Sequence, residues 1–102
     1  MIEHLDHYDK KQFTWQFVDD IEAKYPNMPK SNLEIFRNDL FTCATASLFH
    51  QIQDHLDNYL LQNQLYCIVF QPVVHLQSET GYEKAHGTLY KQTATLYLLN
   101  KS

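Results

Sequence analysis

The sequence predicts an α+β fold in the order α-α-β-β, with a short helix, one long helix of about 30 residues and a long antiparallel β-hairpin. Three observations predict it. Apolar residues recur every four positions from 36 to 60, residues 65–70 form an apolar run, and residues 88–99 resemble a second strand. At 102 residues the chain has the length of one domain, which we take to span residues 1–102.

The first element is open to two interpretations. Phe13, Phe17, Ile21 and Tyr25 are spaced four apart, as on one face of an amphipathic helix. Within residues 12–18, however, Phe13, Trp15 and Phe17 alternate with other residues in a pattern that is typical of a strand. We predict a helix because it accounts for Ile21 and Tyr25. The alternative is the order β-α-β-β, with residues 12–18 as a strand.

The second element is a helix predicted from Asn32 to Gln62. Residues four apart are neighbours on a helix surface, so the fourfold row forms a continuous apolar ridge. Because one turn takes 3.6 residues, the ridge drifts around the helix by about 40° per step and does not suit a coiled-coil seam. We expect its early turns to contact the first helix and its later turns to contact the hairpin or a second subunit. The row comprises Phe36, Leu40, Ala44, Leu48, Ile52, Leu56 and Leu60.

Two strands complete the predicted fold. Residues 65–70 are apolar at every position, as in a central strand or a strand that is covered on both faces. Pro72 cannot donate a ladder hydrogen bond, so the strand should end, bulge or have an edge there. Residues 78–87 contain both glycines and should form the hairpin loop before a strand from Thr88 to Leu99.

A homodimer is predicted from this strand count. Two strands alone form a marginal sheet, so a third must come either from residues 12–18 or from a second copy of the chain. A twofold dimer with a continuous four-stranded sheet would also cover the edge that two apolar strands leave open.

Charge and composition exclude several classes of function. The net charge of −4 arises in residues 1–22, which hold six acidic residues against two lysines, and the chain has a single arginine, Arg37. Nucleic acids and anionic membranes bind clustered Lys and Arg, so we expect neither as a partner. No apolar run approaches the roughly 18 residues of a membrane span, and no export signal is evident, which together predict a cytoplasmic protein. In that compartment Cys43 and Cys67 should be buried thiols.

Few residues suggest chemistry. His50, Asp54 and Asp57 share one face of the long helix, but no metal-binding signature is present, and we predict neither a metal nor a cofactor. His75 and His86 flank the predicted loop and are the best candidates for a ligand-binding or acid–base pair. No nucleophile or phosphate-loop motif occurs, so we do not predict an enzyme.

We therefore predict a small module that binds a protein partner, such as an inhibitor, immunity or accessory protein of a phage or other mobile element. Its candidate interaction residues are Asp19, Asp20 and Glu22 in the acidic segment and Tyr82 in the loop. One alternative is a small enzyme or ligand-binding domain with a His/Tyr pocket at a dimer interface. Another is a structural subunit of a larger oligomer.

Overall fold

A computed structural model describes residues 8–59, 61, 63–76 and 86–99. It confirms a mixed α+β fold with one long helix. The antiparallel sheet has four strands in one chain, rather than the two predicted. The long helix packs across one face of the sheet, and no described helix or strand covers the other face. In chain order the elements are β1 (Tyr8–Asp19), α1 (Ile21–Lys24), α2 (Lys30–Asn58), β2 (Tyr66–Phe70), β3 (Val74–His75) and β4 (Thr88–Leu99).

The predicted order α-α-β-β is wrong, because the first long element is a strand. β1 pairs with β4 along its whole length, from Tyr8 opposite Leu99 to Asp19 opposite Thr88. Alternation along the strand puts Phe13 and Phe17 on the face that α2 covers, and Phe13 is buried there. Of the residues that favoured a helix, Tyr25 is exposed beyond the four-residue α1. The structure therefore has the alternative arrangement, with residues 12–18 in a strand.

β4 is the central strand, and β2 is at an edge of the sheet. The strand order is β1-β4-β2, and β3 pairs with β4 beyond the end of β2. The prediction of a central strand at residues 65–70 is therefore wrong, since an apolar run alone does not distinguish a central strand from an edge strand. Between Phe70, opposite Ala94, and Val74, opposite Lys91, three residues face two on β4. This one-residue bulge contains Pro72, as predicted.

α2 supplies four of the seven buried apolar side chains among the described residues, all from one row. Its bounds differ by a few residues from the predicted Asn32–Gln62. Leu48, Ile52 and Leu56 are buried against Phe13 and β4, and Ala44 is buried one turn earlier, whereas Phe36, near the start of the row, is 42% exposed. Burial of each large side chain contributes about 1.5–3 kcal/mol. The early turns of α2 contact α1 and the end of β1, and its later turns contact β4, as expected for the hairpin, but also Phe13 of β1. The expected change from a first helix to the hairpin is therefore wrong, because most of the predicted first helix is a strand that both the early and the later turns of α2 contact.

Both cysteines are exposed, although the sequence predicts buried thiols. Cys43 lies on the outer side of α2, and Cys67 lies on the open face of β2. The third strand is β1, so completion of the sheet does not require a second copy.

The predicted loop at residues 78–87 lies outside the described residues except for 86 and 87. Gly87 has φ of +102°, and a Cβ there would lie 2.8 Å from Cγ1 of Val18, so this position requires glycine.

Candidate functional site

A polar cavity of about 380 Å³ lies where the sheet meets the first turns of α2. Strand pairing assembles it, because Asp19 is opposite Thr88 and His75 is opposite Tyr90. Residues from five elements, distant in the sequence, therefore meet here. The lining residues are Asp19, Glu22, Leu33, Arg37, His75, Thr88 and Tyr90.

An ion pair between Asp19 and Arg37 is the main polar contact of the cavity. Arg37 Nε donates to Asp19 Oδ2 at 3.2 Å, and the backbone N–H of Ile21 donates to Asp19 Oδ1 at 3.3 Å. Burial alone would lower the pKa of Arg37, but the hydrogen bond to Asp19 and the negative charges of the Asp19 and Glu22 carboxylates outweigh it and raise this pKa. Arg37 therefore stays cationic and links the end of β1 to α2.

An aromatic cluster holds Tyr90 in the cavity wall. Its ring stacks on Phe17 with centroids 5.6 Å apart, and Phe41 from α2 meets it edge-on at 5.0 Å. The His75 ring lies 5.7 Å from the same ring. Such pairs contribute about 0.5–1.5 kcal/mol each beyond area burial, so Tyr90 has a defined position between the sheet and the helix.

The structure brings together some of the predicted site residues. Asp19, Glu22 and His75, which belonged to two separate predictions, line the same cavity. Asp20 instead pairs with Lys24 of α1 at 3.2 Å on the surface. His86 is exposed just before β4 and is not among the described residues that line the cavity, and Tyr82 lies outside the described residues.

The sequence prediction missed the rest of the lining. Arg37 was noted only as the single arginine of the chain, and that rarity was the one available signal for it. Tyr90 lies in the strand predicted from Thr88 to Leu99, with nothing in the sequence to mark it as a site residue. Its partner Phe17 is predicted to lie on a helix, so the cross-strand contact between the two rings is not predictable.

A second feature is an apolar groove between α2 and β2, of about 500 Å³. α2 packs mainly on β1 and β4, which leaves the side chains of β2 partly uncovered. Phe49 is 47% exposed at this groove. At about 100° per residue, Phe49 and Phe36 lie on opposite flanks of α2, some 140° apart. The groove is lined by Thr42, Thr45, Ala46, Phe49 and Phe70.

A buried amide fixes the bulge beside this groove. Gln92 is buried on the helix side of β4, where its Oε1 accepts from Thr45 Oγ1 at 2.9 Å. Its Nε2 donates to the carbonyl oxygen of Gln71 at 3.0 Å. The amide thus satisfies both of its polar ends and links α2 to the bulged segment next to β2.

The outer edge of β2 presents unpaired backbone groups. Leu99 N donates to Leu65 O at 2.9 Å and Gln71 N donates to Thr93 O at 2.8 Å, so odd-numbered residues here bond to β4. The even-numbered Tyr66, Ile68 and Phe70 therefore direct their backbone N–H and C=O outward. No strand in the described part of the chain pairs with this edge. Residues 63–74 carry no charged side chain, and Leu65 is 65% exposed.

No protein-family model, curated protein or solved structure matches this chain. Among the described residues, no three His, Cys, Asp or Glu side chains are grouped so that they could hold a metal ion. None of the helices within the described ranges is long and apolar enough to cross a membrane. The function must therefore be argued from the polar cavity, the apolar groove and the edge of β2.

Proposed function

We propose that this chain is a small protein-interaction module that binds its partner through the β2 surface, meaning the outer edge of β2 together with the apolar groove. The observation that carries this proposal is the position of an uncharged, unpaired strand edge directly beside exposed aromatic side chains. An extended segment of a partner can add to such an edge by backbone hydrogen bonds while its alternate side chains occupy the groove.

Residue chemistry favours this surface over the acidic segment expected from the sequence. Asp19 is paired with Arg37 and Asp20 with Lys24, so neither carboxylate offers an uncompensated charge to a partner. Aromatic residues, in contrast, are enriched at the centres of protein interfaces. A role as an inhibitor, immunity or accessory protein of a mobile element stays a prediction, and a homodimer would be one form of binding through the β2 surface.

Site-specific photo-crosslinking tests the proposal. A photoreactive phenylalanine analogue replaces Phe49 in one variant and Phe36 in a matched control, in cells that naturally express the chain. Both positions are similarly exposed, but only Phe49 borders the groove. We expect a covalent protein adduct from position 49 and little from position 36. Equal adducts from both positions, or none from either, would contradict the proposal.

The polar cavity supports a second candidate function, the binding of a small polar ligand. The lining carries two carboxylates, Asp19 and Glu22, against the single cation Arg37, so it suits a small cationic ligand such as an alkylamine. Titration with ethylamine and putrescine, followed by NMR, should shift the signals of Thr88 and Tyr90. Glu22→Gln should weaken those shifts. If neither amine perturbs these signals, the candidate is wrong.

A further inference from the structure

We infer that the occupant of the β2 surface is a second copy of this chain, which pairs its own β2 antiparallel to the first about a twofold axis. The inference rests on the proposed function and names the partner of the same surface. It follows from the charge of the edge, the positions of its backbone groups and the face on which α2 lies.

The chemistry of the edge favours a like partner. Residues 63–74 contain no charged side chain, so a charged partner surface would gain no ion pair there and would lose hydration. Natural edge strands that stay unpaired are usually very short, are bulged, or carry lysines, prolines or inward charges that prevent association with a copy. β2 has only five residues, but it carries no charge or proline within Tyr66–Phe70, and the bulge that contains Pro72 begins after Phe70. An uncharged apolar edge is complementary to itself, which is the requirement for a twofold interface.

The backbone specifies a register. With the axis at Ile68, each outward-facing residue meets another: Ile68 pairs with Ile68 of the second copy, and Tyr66 pairs with Phe70 of the second copy. Each such pair exchanges two hydrogen bonds, so every outward N–H and C=O of the strand is satisfied. A register one residue away would place outward groups opposite residues whose backbone already bonds to β4.

The same axis closes both grooves. A twofold axis perpendicular to the sheet keeps the two α2 helices on one face of a six-stranded sheet, in the order β1-β4-β2-β2-β4-β1. Tyr66, Ile68 and Phe70 share the face on which α2 lies, since they are opposite Leu98, Leu96 and Ala94. The groove lined by Phe49 and Phe70 in one copy therefore lies beside Tyr66 of the other, because Tyr66 is opposite Phe70 in this register. The Tyr66 ring of each copy would cover the exposed rings of its neighbour's groove. The interface would gain apolar burial as well as hydrogen bonds.

The open face provides a register-specific test. In this dimer Cys67 lies opposite Val69 of the second copy in a pair that exchanges no hydrogen bonds, for which Cα atoms are about 4.5 Å apart. That spacing permits a disulfide. Val69→Cys in a Cys43→Ser background should therefore give a covalent dimer on mild oxidation. The control is the same variant with Cys67→Ser, because its remaining thiols at position 69 would have Cα atoms about 8 Å apart, too far to bridge.

Sedimentation velocity of the purified full chain tests the association itself. We expect a dimer at about 100 µM, a monomer for Phe49→Asp and a dimer for the matched control Phe36→Asp. Circular dichroism confirms that both variants fold. A monomeric wild-type chain, equal behaviour of the two variants, or a dimer in which Cys67 forms no bridge to the thiol introduced at position 69 would overturn the inference. If the pure chain is monomeric while position 49 still crosslinks to a different protein in cells, the inference fails and the proposed function stands.

Discussion

The two edges of the sheet differ in the residues whose backbone groups face outward. Even-numbered residues of β4 bond to β1, so β1 directs outward the groups of its own even-numbered residues, among them Lys10, Gln12, Thr14 and Gln16. All four side chains are polar and exposed. In β2 the corresponding residues are Tyr66, Ile68 and Phe70. A strand added to β1 would pair with these polar residues, and Trp15 and Val18 are the large apolar side chains exposed on β1. A strand added to β2 would pair with three apolar residues, Tyr66, Ile68 and Phe70.

The length of an edge is therefore a poor guide to its use in binding. β1 has 12 residues and β2 has five, yet the shorter strand presents the surface suited to a partner. Lysines near the start of β1 also lie against aromatic rings, Lys10 at 5.9 Å from the Tyr97 centroid and Lys11 at 5.6 Å from that of Phe13. These contacts keep charge beside the β1 edge, where it opposes strand addition.

Proline substitution at matched positions should give the largest difference between the edges. The N–H groups of Ile68 and Thr14 both face outward, so proline at either position removes no hydrogen bond to β4 but blocks an added strand. We expect Ile68→Pro to weaken self-association at least about 100-fold, or about 2.7 kcal/mol, and Thr14→Pro to leave it unchanged. Sedimentation equilibrium measures both. Loss of the dimer in Thr14→Pro would show that the interface lies on β1 and not on β2.

The fold was predictable where the pattern is local. The bounds of β4 were predicted to the residue, and most of α2 was predicted, because alternation and fourfold spacing are visible within one segment. β1 was not predicted, since Phe13 and Phe17 fit both the spacing of a helix and the alternation of a strand. Its partner strand β4, whose pairing makes this segment a strand, is at the other end of the chain. The position of β2 at an edge was not predictable either, because it depends on the pairing of β1 with the other side of β4.

The candidate site was predictable only in part. Asp19, Glu22 and His75 were chosen for their chemistry, but the assembly of one cavity around Arg37 and Tyr90 depends on the register of β1 and β3 against β4. Exposure of Phe49, on which the β2 surface depends, likewise follows from tertiary packing. A sequence pattern identifies apolar side chains but does not show which of them lack a neighbour.

Removal of the Arg37 side chain should lower stability without affecting association. Arg37→Ala leaves the buried carboxylate of Asp19 without its cationic partner at the end of β1, and we expect the free energy of unfolding to fall by about 1–3 kcal/mol. The control is Asp20→Ala, which breaks the exposed pair with Lys24 and should cost less than about 1 kcal/mol. Urea denaturation measures both. A similar loss in the two variants would mean that the Asp19–Arg37 pair contributes no more than a surface contact.

Apolar substitutions should allow the β1 edge to pair with another copy, as proposed for β2. The double variant Lys10→Val with Gln12→Val removes a charge and makes two outward-facing residues apolar. Each copy would then have two sheet edges that can pair with another copy, so sheets could extend through many copies. We expect the association constant for oligomers larger than the dimer to rise about tenfold. Light scattering against concentration measures this. Lys91→Val is the control, because it adds an apolar side chain to the same face on central β4, and it should leave the association state unchanged.

The smallest effect expected is a pH dependence of folding stability that arises beside β1 and does not extend to association through β2. Burial, followed by the charge of Lys11 on β1, lowers the pKa of His55, whose ring packs against Phe13 and Tyr59. The unfolded chain therefore binds the proton more readily, and the contribution of neutral His55 to stability, complete above pH about 6.5, declines as pH falls below that value. His55→Gln should reduce the loss of stability between pH 7.5 and 5.5 in urea titrations. Neither residues 63–74 nor the groove residues Thr42, Thr45, Ala46 and Phe49 include an Asp, Glu or His, so the association constant of the folded dimer should not change between the same two pH values. A dimer that dissociates at pH 5.5 while its subunits stay folded would show that a titrating group from outside β2 takes part in the interface.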